Sequence, residues 1–243
     1  MASESAAVRC SAIAGLALAL ALASGPATAD DDVARGAAPA SAVLATTVVL
    51  DDDFEQGFPN ANWDVFDPMG IVGGDLTWGA STARADGDTT SAWCAGGGPD
   101  AQPDGTSYVD LMSSWMVHGP FDLTDAAGAV ARLRYWLDTE PDEDLLRLLA
   151  SNDGFFFGGV EVSGTSGGWQ DLSLDLADVP GEGDLTGSPE VWVAIVFTSG
   201  AGVVGEGAYV DRVRIERLGP SELFADDFES AGLSNWSAVI DGF

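Results

Sequence analysis

The sequence has no lysine and only one histidine, His118. A single imidazole cannot build a His-based zinc cage or an HExxH pair. A Ser-His-Asp arrangement would have to use His118, and neither a G-x-S-x-G elbow nor a glycine-rich phosphate loop occurs. His118 closes a strand-like run just before Gly119-Pro120, so a structural role is expected. All nine basic residues are Arg, against 39 acidic ones, for a net charge of −30. Such a surface repels phosphate backbones and anionic head groups, which makes nucleic acid and acidic membranes poor partners. The acids also suit cation binding, although a solvated acidic coat explains most of them. Helical periodicity is missing over any useful length. One apolar run is long, Ala12 to Ala23, and it falls short of the roughly 20 residues that span a bilayer.

That run belongs to an export signal. Arg9 precedes it, and the small-residue triplet Ala27-Thr28-Ala29 follows. A charged start, a short apolar stretch and an A-x-A site are the parts of a secretory leader, here residues 1–29. The expectation is a secreted, extracellular or cell-surface protein with no membrane span after cleavage. About 214 residues then remain, enough for one large β domain with a full core. Of the two cysteines, Cys10 leaves with the leader, so Cys94 has no intramolecular disulfide partner. Trp93 and the small residues around it point to burial.

Residues 30–47 read as an acidic, then Ala/Pro/Gly-rich linker that runs from Ser41 into a first β-branched strand ending at Leu50. Further strands are expected at Trp63–Phe66, Leu76–Trp78, Tyr108–Val117, Val130–Leu137, Leu145–Ala150, Phe155–Val162, Trp169–Leu176, Val191–Thr198 and Ala208–Arg217. Within Val130–Leu137, the residues Ala131, Leu133, Tyr135 and Leu137 share one face, while Arg132 and Arg134 take the other. That alternation marks a half-buried antiparallel strand. Ser151-Asn152-Asp153-Gly154 reads as a hairpin turn, and Gly164–Gly168 as a second one. Many short strands with such punctuation give an all-β fold, an antiparallel β-sandwich or barrel.

One motif occurs twice. Asp52-Asp53-Phe54-Glu55 leads to Asn62-Trp63, and Asp226-Asp227-Phe228-Glu229 leads to Asn235-Trp236. Seven residues follow Trp236, so residues 218–243 are expected to be a tail that repeats the domain's opening.

Two groups of residues are candidate sites. Strand alternation places Asp211 with Tyr209, Val213 and Ile215 on the apolar face, where a carboxylate needs compensation. Asp53 and Glu55 lie two apart on a common face of the first motif. A Ca²⁺ ion held by Asp53, Glu55 and Asp211, where the first and last strands meet, would supply that compensation as a structural cofactor. The second group is Phe155, Phe156 and Phe157, directly after a turn. Three rings in a row cannot all point inward, and exposed rings stack on sugars or enter a partner's pocket. Trp78, Trp93, Trp115, Trp136, Trp169 and Trp192 sit mostly within strands and are assigned to the core.

The ordered pieces carry a resemblance. They are Asp53-Phe54-Glu55 with Trp63, Trp78, Ser91-Ala92-Trp93, Ser114-Trp115-Met116-Val117, Gly119-Pro120-Phe121-Asp122-Leu123, Leu133–Leu137, Ala150-Ser151-Asn152-Asp153-Gly154, Gly167-Gly168-Trp169-Gln170 and Gly207-Ala208-Tyr209-Val210-Asp211-Arg212-Val213. In this order they resemble the MAM-like jelly-roll domains of bacterial secreted proteases of the immune inhibitor A type. The likeness covers Val48 to Glu216 and sets a domain at 48–217. It implies a concanavalin/MAM-like jelly roll without catalytic residues, used outside the cell for adhesion, substrate binding or scaffolding. It also implies a structural cation between the first motif's acids and the last strand. The family commonly carries two successive Asp residues in that strand, and here the second position is Arg212. The tail, Asp227-Phe228-Glu229-Ser230 to Trp236-Ser237, resembles a short ending of many bacterial exported proteins. Three functions stay open: a non-catalytic module for an extracellular glycan or protein partner, a jelly-roll glycoside hydrolase using a carboxylate pair, and an acidic structural surface protein.

Overall fold

The structure, a computed structural model, describes residues 44–69 and 72–220. The expected leader, most of the linker and the repeated motif at Asp226–Glu229 lie outside the described residues. Eleven strands form: β1 (Leu44–Asp52), β2 (Asp64–Phe66), β3 (Thr77–Ser81), β4 (Ser91–Gly97), β5 (Ser113–Phe121), β6 (Gly128–Asp138), β7 (Leu145–Ser151), β8 (Gly158–Val162), β9 (Gln170–Asp175), β10 (Val191–Thr198) and β11 (Gly207–Pro220). They build an antiparallel sandwich. The first sheet runs β3-β4-β11-β6-β9, with β1 also paired to β11; the second runs β2-β5-β10-β7-β8. The first strand and the last do meet, from Leu44↔Pro220 to Asp52↔Val213. That pairing begins four residues before the expected boundary at Val48 and ends three beyond Arg217.

The expected alternation in β6 is observed. Ala131, Leu133 and Leu137 are buried between the sheets, and Arg132 and Arg134 face outward. From the facing sheet, Met116, Leu146, Leu148, Val193, Ile195 and Phe197 fill the same core. Trp78 is fully buried, and its indole N–H donates to the Ser114 carbonyl 3.0 Å away. Each such side chain contributes about 1.5–3 kcal/mol through its removal from water.

One strand, β4, was not expected, and three expectations change. Strand β4 carries no alternation, because its side chains from Ser91 to Ala95 are buried on both faces. Small residues allow that: a Cβ on Gly79 of β3 would stand 2.2 Å from the Gly96 carbonyl carbon. Tyr108–Met112 lies outside β5, which instead runs on to Phe121. Phe155–Phe157 lies outside β8. The Ser151–Gly154 turn does join a hairpin, β7 to β8. Gly164–Gly168 does not, because β8 and β9 sit at the edges of different sheets and the chain crosses between them.

Candidate functional site

The carboxylates of the opening motif have separate tasks. The buried one is Asp52. It accepts hydrogen bonds from the Phe54 amide (2.9 Å), Asn60 Nδ2 (3.0 Å), Trp63 Nε1 (2.9 Å) and Asn62 Nδ2 (3.4 Å). Burial alone would raise its pKa, but these donors, Asn60 foremost, outweigh that and hold it below the ordinary carboxyl value. They also stabilise the left-handed backbone at Phe54 (φ 60°), whose ring packs on Phe58 and Trp63. Asp53 is exposed and accepts from the Glu55 amide at 3.2 Å. Glu55 clasps the β3–β4 loop, accepting from the Thr89 hydroxyl (2.5 Å) and the amides of Thr89 (3.0 Å) and Thr90 (2.6 Å). The Thr89 hydroxyl is the main reason its carboxyl stays below the usual range.

Asp211 is fully buried, but not in the core. The β11–β6 register shifts between Asp211 and Arg214, and Arg212 there takes a left-handed φ of 48°. This bulge reverses the parity expected from alternation. Asp211 pairs with outward-facing Arg134, while Val213 and Ile215 turn inward. The β3–β4 loop covers it. Its two oxygens accept the Asp86 amide (2.8 Å) and its neighbour's, Arg212 (2.7 Å). Desolvation pushes its pKa up to about 6, against those two amides, and Asp88 adds to the rise. No arginine among the described residues comes within ion-pairing distance of it; Arg134 and Arg212 both turn to Asp86. Glu55 and Asp211 thus bind one loop from two sides. Asp53 does not join them, and no group of three or more acid, His or Cys side chains converges among the described residues.

The outer face of the second sheet is different in character. Cross-strand pairing aligns Phe66 with Trp115, Trp115 with Val196, and Val196 with Arg147. The next row aligns Asp64, Val117, Ala194 and Leu149. The Phe66 and Trp115 rings stack at 5.9 Å. Over this floor bends the β7–β8 loop. Ser151 Oγ accepts the amides of Asp153 (3.2 Å) and Gly154 (2.9 Å), and Asp153 Oδ1 accepts those of Phe155 (2.8 Å) and Phe156 (2.9 Å). So held, the loop sends Phe157 across β10 to meet Trp115 edge-on at 5.7 Å. Ala194 and Val196 point outward yet are only 0% and 1% exposed beneath it. Phe155 and Phe156 project into solvent, 87% and 73% exposed. A cavity of about 260 Å³ opens between Asp64, Phe66, Val117, Gly119, Gly154, Phe157 and Trp192. Gly154, at φ 71°, lies over the Trp192 indole, which a Cβ there would meet at 3.5 Å.

Of the expected ligand-binding rings, Phe157 therefore lines a cavity and the other two flank it. Trp115 and Trp192, assigned to the core from their place in strands, are half-buried on the outer face instead. Trp136 also faces outward, with the Arg84 guanidinium 3.5 Å above its ring. Phe66 and Asp64 carried no signal in the sequence beyond their position in a short strand. His118 is structural: Nδ1 meets the Asn62 carbonyl at 2.9 Å, and its ring packs on Trp63 and Phe121. Cys94 is buried and free, and desolvation pushes its thiol up to about 12.

The outer face of the first sheet carries a second, shallower cavity of about 400 Å³ near Arg132, Asp175 and Glu216. Its charges are already engaged. Glu216 pairs with Arg132 (3.5 Å) and Arg214 (2.9 Å), and Asp175 accepts the Ala177 amide at 3.0 Å. No helix among the described residues is long and apolar enough to cross a membrane.

No family model matches the chain, and no curated protein matches it. Solved structures do. The K1 cleaved adhesin domain of Lys-gingipain from Porphyromonas gingivalis W83 is similar at 17% identity and TM-score 0.47, over 70% of this chain and 97% of that one. The K3 domain of the same protein is similar at 16% identity and TM-score 0.49, over 71% and 99%. TmCBM61, solved in complex with β-1,4-galactotriose, is similar at 13% identity and TM-score 0.42, over 68% and 94%.

Proposed function

We propose that the chain acts outside the cell as a non-catalytic binding or adhesion module, and that the outer face of the second sheet meets a glycan or protein partner. One observation carries this reading: Phe66, Trp115, Phe157 and Trp192 gather around a cavity on the outside of the sandwich, with Phe155 and Phe156 projecting beside it. Leaving such rings at the surface forgoes about 1.5–3 kcal/mol each relative to full burial. A contiguous apolar patch of this kind is what interaction surfaces present. The expected export leader at residues 1–29 agrees with an extracellular partner. Lone His118 has a packing role, and the cavity holds a single carboxylate, Asp64. Both favour binding over glycoside hydrolysis, which uses two facing carboxyl groups.

The reading includes a structural Ca²⁺. A fully buried carboxylate met only by two amides is short of compensation, and Asp211 fits a cation on that ground. Glu55 and Asp211 would supply its carboxylates, with carbonyl oxygens of the Asp86–Thr90 loop as further hard donors. Bound there, the ion would neutralise Asp211 and fasten the loop to both terminal strands.

A glycan array probed with and without Ca²⁺ tests the binding surface. Trp192→Ala and Phe157→Ala are expected to weaken captured ligands at least tenfold, as loss of a central aromatic anchor does, with the fold unchanged by circular dichroism. Binding that is indifferent to both substitutions would move the site off this face.

A further inference from the structure

Resting on that reading of the second sheet, we infer that the cavity beside Trp192 receives an alkylated ammonium group, the cationic head of a ligand rather than a neutral sugar ring. Three rings line it, from Phe66, Phe157 and Trp192. Aromatic walls attract a cation through their negative π faces, and a carboxylate at the rim adds charge. Asp64 is that carboxylate. It is exposed and forms no hydrogen bond or ion pair with any described residue.

The hydrogen-bonding inventory separates the ligand classes. Asp64 is the only charged side chain in the lining, and an ionised carboxylate only accepts. A pyranose ring carries several hydroxyls that need donors as well as acceptors, and the Trp192 indole N–H is the single side-chain donor in the lining. A methylated ammonium needs none. Charge points the same way. Arg147 is the one arginine on this face among the described residues, and it is occupied by Glu161 (3.0 Å) and Thr198 (2.9 Å). The net charge of −30 draws cations toward the surface and repels anions. The volume of about 260 Å³ lies just under the roughly 300–1,000 Å³ of drug-sized ligand pockets, which suits a head group.

The experiment titrates the full chain, as exported, with choline and tetramethylammonium, following tryptophan fluorescence and calorimetry. The neutral isostere 3,3-dimethylbutan-1-ol and glucose run in parallel. Saturable choline binding is expected, weaker by about fivefold or more for the neutral isostere and for Asp64→Asn, since each removes one half of the charge complementarity. Phosphatidylcholine vesicles form a separate arm: co-sedimentation assigns the head group to a lipid, and binding of free choline alone assigns it to a solute. Equal affinity for the isostere, an unaffected Asp64→Asn variant, or no saturable choline binding would each overturn the inference. If choline fails while Trp192→Ala still abolishes capture on the array, the cation assignment falls and the binding surface stands. If choline binds through Asp64 while array capture ignores Trp192, the cavity stands and the wider binding surface falls.

Discussion

At the scale of single residues, Asp52 orders the opening motif. Its four donors come from within eleven residues of chain, so one carboxylate closes the whole loop from Phe54 to Trp63. Asp52→Asn puts an amide among amide and indole donors and should cost about 2–4 kcal/mol at neutral pH. The folded-state pKa lies below the ordinary 3.8, so this stabilisation is fully present above pH 3.8 and is lost as pH falls through the lowered value. Urea unfolding of both proteins should therefore show a gap that narrows below pH 3.8; a gap independent of pH would contradict the assignment. The sequence pointed to this motif but did not single out Asp52. Asp53 and Glu55 were singled out by their spacing, whereas burial of Asp52 depends on where Asn60 and Trp63 return. Asp211 was recognised as an unusual carboxylate, but the bulge at Arg212 put it under a loop rather than in the core.

Among the elements, strand alternation was legible wherever one face is wet, as in β6. It missed β4, whose side chains from Ser91 to Ala95 are all buried and leave no polar period to read. Close approach of β3 and β4 makes a prediction. Gly79→Ala should lower stability by at least about 2 kcal/mol, because the new methyl would meet backbone of Gly96 and Gly97 that cannot yield. Gly128→Ala, whose Cβ meets nothing within 4 Å, should be neutral or slightly stabilising. Urea midpoints of the two variants check this; equal midpoints would show that the strands can separate without penalty. The Gly164–Gly168 turn misled because turn chemistry specifies a reversal, not which sheet the next strand joins.

For the molecule as a whole, the two outer faces divide the work. The first sheet's face is laced with ion pairs, Arg132 and Arg214 to Glu216, and Arg134 to Asp86 and Asp171. The second sheet's face is aromatic and carries an unpaired acid. If Glu55 and Asp211 share a Ca²⁺ ion, the loop they hold and both terminal strands melt together. Saturating Ca²⁺ should then raise the melting temperature by roughly 5–10 °C over a chelator, from linkage of about 2–3 kcal/mol. Asp211→Asn should abolish the difference; identical melts of the parent chain with Ca²⁺ and with chelator would remove the ion from the account.

Alternation of polar and apolar side chains, turn residues at short intervals and a surfeit of acids were enough by themselves to establish an all-β fold, sandwich or barrel, that repels polyanions. These are local properties, set by the two-residue period of a strand and by the charges themselves. Which tryptophans face solvent, which carboxylate is buried and where a cavity opens were decided only when distant strands paired. A strand's two faces are equivalent until a neighbouring sheet or loop covers one of them.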